Sequence, residues 1–429
     1  MSRLFPAFLF LSIILQAATA PAISSIREMV IGPGKSGSEP ATVYPLSLPS
    51  APRPTKTETW KIGVYLPVAG AYREIGQRLR RGLRLALKSE AEIQPEMWRL
   101  LIVDSTAVEP ARALVLFRKN QVVLVLGPLQ SRLADASVNQ AIALNLPIML
   151  WAPRPELCAR NRLIFQHFLS AANQGRALAE LLRQGEEKKI ALLYPENDFG
   201  RDFRASLIAN LGPEQTHSLV RESFYDPHSV DFSSAIKLLQ TLESQSAFPQ
   251  SFFNHTVQLR PDYPFSALVI ADFYPRLRLL APQLRFFGLE QCRIYGIIGG
   301  HPPRRAGENG KALEGTVFLD FCGNLTPAPP RSQNYRDLYQ THYGETASIY
   351  DLYAYDSILI LQQARQNLNQ GKACDLPQAL LSLPVMELAG GQTQISADGE
   401  FSKKLCPAVF QFSKPPPKNR IDFLGAPQD

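Results

Sequence analysis

"IGVYLPVAGAYREIGQRLRRGLRLAL", residues 62–87, runs from an apolar strand pattern through a small-residue turn into an arginine-rich helix pattern. Strand, turn and basic helix together fit a phosphate cradle, a nucleic-acid surface or a plain sheet-packing unit. The rest of the chain decides between them. In the helix pattern Ile75, Leu79, Leu83, Ala86 and Leu87 recur three or four residues apart and make one apolar stripe. Arg73, Arg78, Arg80, Arg81, Arg84 and Lys88 fall largely on the other faces, where a solvated basic surface is expected. Gly82 lies on or beside the stripe, and its missing side chain lets the helix approach the sheet closely.

The same texture continues outward from this stretch. Apolar, β-branched-rich runs recur at "KIGVYLP", "RLLIVDS", "VVLVLGP", "LPIMLWA", "KIALLYP", "ALVIADF" and "CRIYGIIG". Between most of them lie amphipathic helical stretches such as "PARALVLFRK", "NQGRALAELLRQG" and "FGRDFRASLIANLG". Short continuous apolar strands alternating with helices indicate parallel sheets covered on both faces. That many strands exceed one small sheet, and 429 residues exceed one ordinary core, so two α/β lobes are expected. No tandem repeat is visible, and residues 243–265 interrupt the rhythm as a polar and aromatic insertion.

With 45% hydrophobic and 19% charged residues, the chain can bury a core. Its net charge of +7 is diffuse, with no lysine-rich block, which argues against nucleic acid as a partner. The first residues pair a short basic start with the apolar run "LFPAFLFLSIILQ" and then small residues, the layout of an export signal. Pro21 disfavours a cut after Ala20, so residues 1–22 are expected to be removed by a cut after Ala22. The mature protein is then periplasmic or secreted and does not span the membrane. No cysteine lies near the cut to carry a lipid.

Residues 23–58 are rich in Pro, Ser, Thr and Gly and are expected to form a flexible linker, and residues 413–429 a loose tail. "GPGKSGS" in the linker resembles a phosphate loop, but Met29 stands where the leading glycine is needed and no strand pattern precedes it. Five cysteines, at 158, 292, 322, 374 and 406, show no CxxC spacing. Export permits disulfides, and a Cys374–Cys406 bond is expected, because these two bracket a segment of lobe-crossing length.

The chain carries no GxSxG elbow, no HExxH helix and no paired Cys/His signature, and its six histidines are scattered. The expectation is a protein that is not an enzyme and needs no cofactor or metal. Three strand-to-helix turns instead suggest a binding cleft: "PVAGAY" with Ala69, Gly70, Ala71 and Tyr72; "LGPLQSRLADA" with Gly127 and Ser131; and "MLWAPRPEL" with Trp151 and Arg154. Turns of this kind leave backbone N–H groups free for a ligand. Ser131 also suits a helix cap, and Trp151 a core position.

Taken in order, "KIGVYLPVAGAYREIGQRLRRGLRLAL", "LLIVDSTAVEPARA", "VVLVLGPLQSRLADASVNQAIALNLPIML" and "KIALLYPENDFGRDFRASL" resemble the type I periplasmic binding proteins, the branched-chain amino-acid receptor group. The resemblance covers roughly residues 60–412. "ALVIADFYPRLRLLAPQLRFFGLEQCRIYGIIGG", "ALEGTVFLDF" and "YDLYAYDSILIL" look closer to the penicillin-binding-protein activator branch. It implies a domain at 59–412 of two Rossmann-like lobes with three crossovers and an interlobe cleft. Lobe one would take residues about 60–168 and 298–370, and lobe two about 169–297 and 385–412.

In the amino-acid receptors, hydroxyls after the third and fourth strands hold the ligand carboxylate, and an acid and an aromatic of the second lobe hold and cover the ammonium. By that likeness Ser131 matches the first hydroxyl, while Ala152 stands at the second. Phe199 matches the cover and Asp272 the acid's region, with residues 197–199 and 272–274, Tyr274 included, facing lobe one. Arg154 adds a charge where the receptors use a hydroxyl, so a carboxylate-bearing ligand is expected near Ser131 and Arg154. The implied partner is a cell-wall synthase, in an activator-like role in the cell envelope. The alternative is the membrane component of an amino-acid ABC transporter, served by a solute receptor. An α/β hydrolase is the third reading.

Overall fold

The computed structural model describes residues 28–31, 59–90, 93–212, 218–240, 263–289, 292–302, 307–324, 326–411 and 420–423. The expected export signal, most of the expected linker and tail, and nearly all of the 243–265 insertion lie outside the described residues.

Six strands make the first sheet: β1 (Glu28–Ile31), β2 (Trp60–Leu66), β3 (Trp98–Asp104), β4 (Leu124–Leu126), β5 (Ile148–Leu150) and β6 (Ile164–Gln166). They pair in the order β1-β3-β2-β4-β5-β6, all parallel. The second sheet begins with β7 (Lys189–Pro195), β8 (Ser218–Tyr225), β9 (Ala267–Ile270), β10 (Arg293–Gly296) and β11 (Val317–Phe321). A small antiparallel sheet of β12 (Met386–Leu388), β13 (Gly391–Ile395) and β14 (Phe401–Lys403) follows. The chain then returns to the second sheet with β15 (Leu405–Gln411) and β16 (Arg420–Phe423), completing the order β16-β15-β11-β10-β9-β7-β8.

β2 and β7 therefore lie in different sheets, each with helices on both faces, which is the two-lobe arrangement of the type I binding-protein fold. α1 (Arg73–Ser89) and the helix Ile349–Asn369 pack on one face of the first sheet. α2 (Pro110–Lys119) and α3 (Ser131–Ala143) cover its other face. In the second lobe α4 (Ala171–Gln184) and α5 (Asp198–Leu211) pack together on one face, and the helix Tyr274–Phe286 covers the other.

Several expectations are corrected. The boundary at residue 298 would place Val317–Phe321 in lobe one, yet β11 sits between β10 and β15 in the second sheet. The return to lobe one follows it, with the helices Pro330–Tyr343 and Ile349–Asn369. Of the stretch 385–412, only β15 joins the second sheet, while the small sheet bridges to β6 through Gln166 and Glu400. The linker contributes β1, which lies parallel to β3, and the tail contributes β16, which lies antiparallel to β15. The disulfide joins Cys322 to Cys406, with Cα atoms 5.1 Å apart, and Cys374 is free and exposed. Antiparallel pairing sets Cys406 opposite Asp320, two residues from Cys322, and that register was invisible to a spacing argument.

Four arginines of the basic face of α1 are paired rather than left to solvent. Glu28 of β1 accepts from Arg84 Nε at 2.6 Å and from Arg80 Nη2 at 2.9 Å. Arg78 pairs with Asp351 at 3.3 Å, and Arg81 pairs with Glu345 while lying over the Tyr343 ring. Gly82 faces a helix rather than the sheet: a Cβ there would lie 2.1 Å from the carbonyl of Asp351. The missing side chain lets α1 cross the helix Ile349–Asn369 in backbone contact.

Burial works against the charge of Glu28, but the hydrogen bonds from Arg84 and Arg80 outweigh it and hold the carboxyl below its ordinary value. A carboxylate depressed in this way stabilises the docked strand above the ordinary glutamate range, and the contribution is lost as pH falls through the lower, folded value. Glu28→Ala is expected to abolish hydrogen-exchange protection of residues 28–31 at neutral pH, as acid does in the parent, while β2 and β3 stay protected. Unchanged protection of 28–31 in the variant would show that backbone pairing alone holds the strand.

Candidate functional site: the interlobe cleft

In parallel α/β sheets ligands meet the carboxyl ends of strands, where turns enter helices. In lobe one these ends carry residues 67–72, 127–131 and 151–154, and in lobe two residues 196–199, 271–274 and 297–301. Part of the lobe-one donor set is already used. Asp104 Oδ1 accepts from the N–H of Val68 at 3.0 Å, and Pro128 O accepts from the N–H groups of Trp151 and Ala152 at 3.1 and 2.9 Å. The turn after β2 leaves Ala69, Gly70, Ala71 and Tyr72 exposed, with Gly70 at φ +70°.

Gly127 is buried at φ +99°, and a Cβ there would lie 2.2 Å from the carbonyl of Tyr65. Its role is close packing of β4 on β2 rather than ligand contact. Trp151 is likewise structural, fully buried with its indole N–H donating to Ser357 Oγ at 3.2 Å. Ser131 begins α3 without capping it, since the cap position is Gln130, and its hydroxyl makes no hydrogen bond among the described residues. It is a free hydroxyl at a helix start.

Arg154 does not offer a spare charge. Its guanidinium pairs with Glu156 and with Asp135 at 3.2 Å, and Arg160 also binds Asp135, at 2.7 Å. The hydrogen bond to Glu156 leads the factors that raise its pKa above the ordinary arginine value. Across the gap Asp202 of α5 is pushed up by its own burial, then by Glu156 and Asp198, with Arg154 and Arg201 opposing. Arg154 therefore belongs to a charge cluster at the mouth of the cleft.

On the lobe-two wall Asn197 caps α5 by accepting from the N–H of Gly200 at 2.9 Å, which places Phe199 at the cleft edge. The Phe199 ring lies 5.1 Å from that of Phe273, which is 43% exposed. Asp272 is buried, and both its oxygens are taken: Oδ2 by the Tyr225 hydroxyl and Oδ1 by the N–H of Phe273, each at 2.7 Å. Burial pushes its carboxyl above the ordinary value. Tyr274 packs against the core on the outer face of the second sheet, away from Phe199. Phe273, not Asp272 or Tyr274, is the exposed group of that loop.

Behind the cleft, the segments that cross between lobes meet one buried polar cluster. Lys403 Nζ donates to Asp356 Oδ2 at 2.6 Å and to Thr393 Oγ1 at 3.0 Å, with both ends of the ion pair fully buried. The N–H groups of Ala389 and Gly390 complete the Asp356 carboxylate, at 2.9 and 3.1 Å. His167 binds Ser357 Oγ through Nδ1 at 2.9 Å, and burial, reinforced by Lys403, pulls its pKa well below the ordinary value. Phe168 stacks on Tyr350 beside it. None of these was singled out from sequence, although Asp356 and Ser357 stand in the "YDLYAYDS" run that carries the resemblance. Among the described residues no cluster of His, Cys, Asp and Glu could hold a metal, and no helix is long and apolar enough to cross a membrane.

The family model described as "Periplasmic binding protein" matches residues 59–412, and the chain belongs to that family. Among solved structures it is similar to the branched-chain amino acid transporter substrate binding protein of Streptococcus pneumoniae in complex with isoleucine, at 17% identity and TM-score 0.58, over 86% of this chain and 99% of that one. It is also similar to a leucine binding protein of Thermotoga maritima, at 18% identity and TM-score 0.60, over 85% and 98%. A solute binding protein from R. palustris in complex with benzoate matches at 17% identity and TM-score 0.56, over 85% and 95%. At these identities the likeness concerns the fold. A search of curated proteins finds no match.

Proposed function

We propose that the protein is a non-enzymatic solute receptor of the cell envelope, which takes a small carboxylate-bearing ligand between its lobes and presents it to the membrane component of an ABC transporter. The observation that carries this reading is Ser131, an unbonded hydroxyl on the first residue of the 13-residue helix α3, at the end of β4. A hydroxyl and free N–H groups at a helix start suit a carboxylate by hydrogen bonding and by the helix-end potential. Isoleucine and benzoate, the ligands named for two structural neighbours, share that group.

A second reading, an activator-like regulator that works by contact with a cell-wall synthase, draws on Ala152 and Arg154. Both leave the fourth-strand loop without a free anion donor. The two separate in one experiment on the mature chain from residue 23. Thermal stabilisation by carboxylate ligands, without capture of a synthase from envelope extracts, supports the receptor. Capture of a synthase without stabilisation by any carboxylate overturns it in favour of the regulator. Ser131→Ala is expected to weaken carboxylate binding about ten- to hundredfold, the scale of a charge-assisted hydrogen bond. Arg154→Ala, whose charge is already paired, should change affinity less than about threefold, and titration calorimetry reads both.

A further inference from the structure

We propose that the ligand is an arene-type carboxylate, flat and apolar and without an α-ammonium group, seated with its ring against Phe273. This rests on the receptor reading above and goes on to name the ligand class. Phe273 stands at the carboxyl end of β9 with 43% of its surface open, flanked by Phe199 from the end of β7. The loop after β10 is bare beneath it, since a Cβ on Gly299 would lie 3.0 Å from Phe273 Cδ1. The ends of β7, β9 and β10 thus build one aromatic shelf. Offset or tilted stacking on such a shelf suits a planar ring.

The same wall offers little to an ammonium group. Asp272 has both oxygens occupied and is 6% exposed. Asp320, at the end of β11, is equally buried, and its Oδ1 receives the N–H of Phe321 at 2.7 Å and Asn324 Nδ2 at 2.8 Å. Glu196 and Asp198 both pair with Arg201, at 3.5 and 2.8 Å. Asp202 remains, one helical turn past Phe199, in the charge cluster of Arg154, Glu156 and Arg201. Lobe one contributes the unbonded hydroxyl of Ser131, with Ala152 at the second position, which suits a ligand that presents a carboxylate there.

The test is calorimetric titration of the mature chain with benzoate, 4-hydroxybenzoate, leucine and phenylalanine. Expected results are saturable binding of the two aromatic acids, at least hundredfold weaker binding of both amino acids, and about tenfold loss of benzoate affinity in Phe273→Ala. An unchanged unfolding midpoint for that variant shows that its fold is intact. Benzoate binding untouched by Phe273→Ala overturns the placement. Leucine or phenylalanine binding as tightly as benzoate overturns the ligand class while the receptor reading stands, and loss of that binding in Asp202→Asn would locate the ammonium. No heat from any of the four, with none from other carboxylates, removes the receptor reading as well.

Discussion

Lys403→Met is expected to destabilise the protein by about 3–5 kcal/mol, because it leaves the Asp356 carboxylate buried without its counter-ion. The pair is fully buried at both ends, and the two N–H groups on Asp356 satisfy oxygens but do not cancel a charge. Burial already pulls Lys403 below its ordinary pKa, against the attraction of Asp356. A double change, Lys403→Met with Asp356→Leu, removes both charges and should recover most of the loss, since apolar groups of similar volume often replace a buried ion pair at little cost. Urea unfolding followed by circular dichroism measures all three proteins. Equal losses in single and double variants would mean that packing around Tyr353, which lies 5.3 Å beneath the Lys403 ammonium, matters more than charge. The location gives the pair its functional weight: it ties the helix Ile349–Asn369 of lobe one to β14 and to the 389–390 turn of the small sheet, just before the chain returns to the second sheet at β15.

Cys322→Ser should cost the protein about 4–5 kcal/mol in the chain-entropy account of a closed loop. The bond joins residues 84 positions apart, and the loop it closes holds the helices Pro330–Tyr343 and Ile349–Asn369 and the whole small sheet. Its release frees the entire excursion into lobe one within the unfolded chain. Cys406→Ser should match it, and Cys374→Ser should leave stability unchanged because that thiol is free and exposed. Denaturation with and without reductant checks the set. Sensitivity of Cys374→Ser together with indifference of Cys322→Ser would restore the pairing expected from spacing.

The strand–helix alternation was legible because parallel strands buried on both faces read as continuous apolar runs, such as residues 62–66 and 190–194. β1 and β16 were not, because "EMVI" and "RIDF" are four-residue pieces in proline-rich surroundings, and only their neighbours β3 and β15 make them strands. The apolar stripe of α1 was visible, while the partners of its arginines were not. Glu28, Glu345 and Asp351 lie 52 to 273 positions away in sequence. For the loop 272–274, which of its side chains faces outward depends on how the chain leaves β9, and the sequence does not show that. One step of backbone places Phe273 in the open between a buried acid and an outer-face tyrosine. Trp151 and Gly127 showed binding-loop chemistry in sequence and serve as packing, because the carboxyl ends of β4 and β5 hold each other through Pro128.

The central claim is that the cleft binds a carboxylate at Ser131. Titration calorimetry of the chain from residue 23 with benzoate, run beside Ser131→Ala, tests it most directly. One saturable site per chain, weakened about ten- to hundredfold by loss of that hydroxyl, is the predicted result. Equal affinity in parent and variant, or no saturable site for any carboxylate, would contradict it.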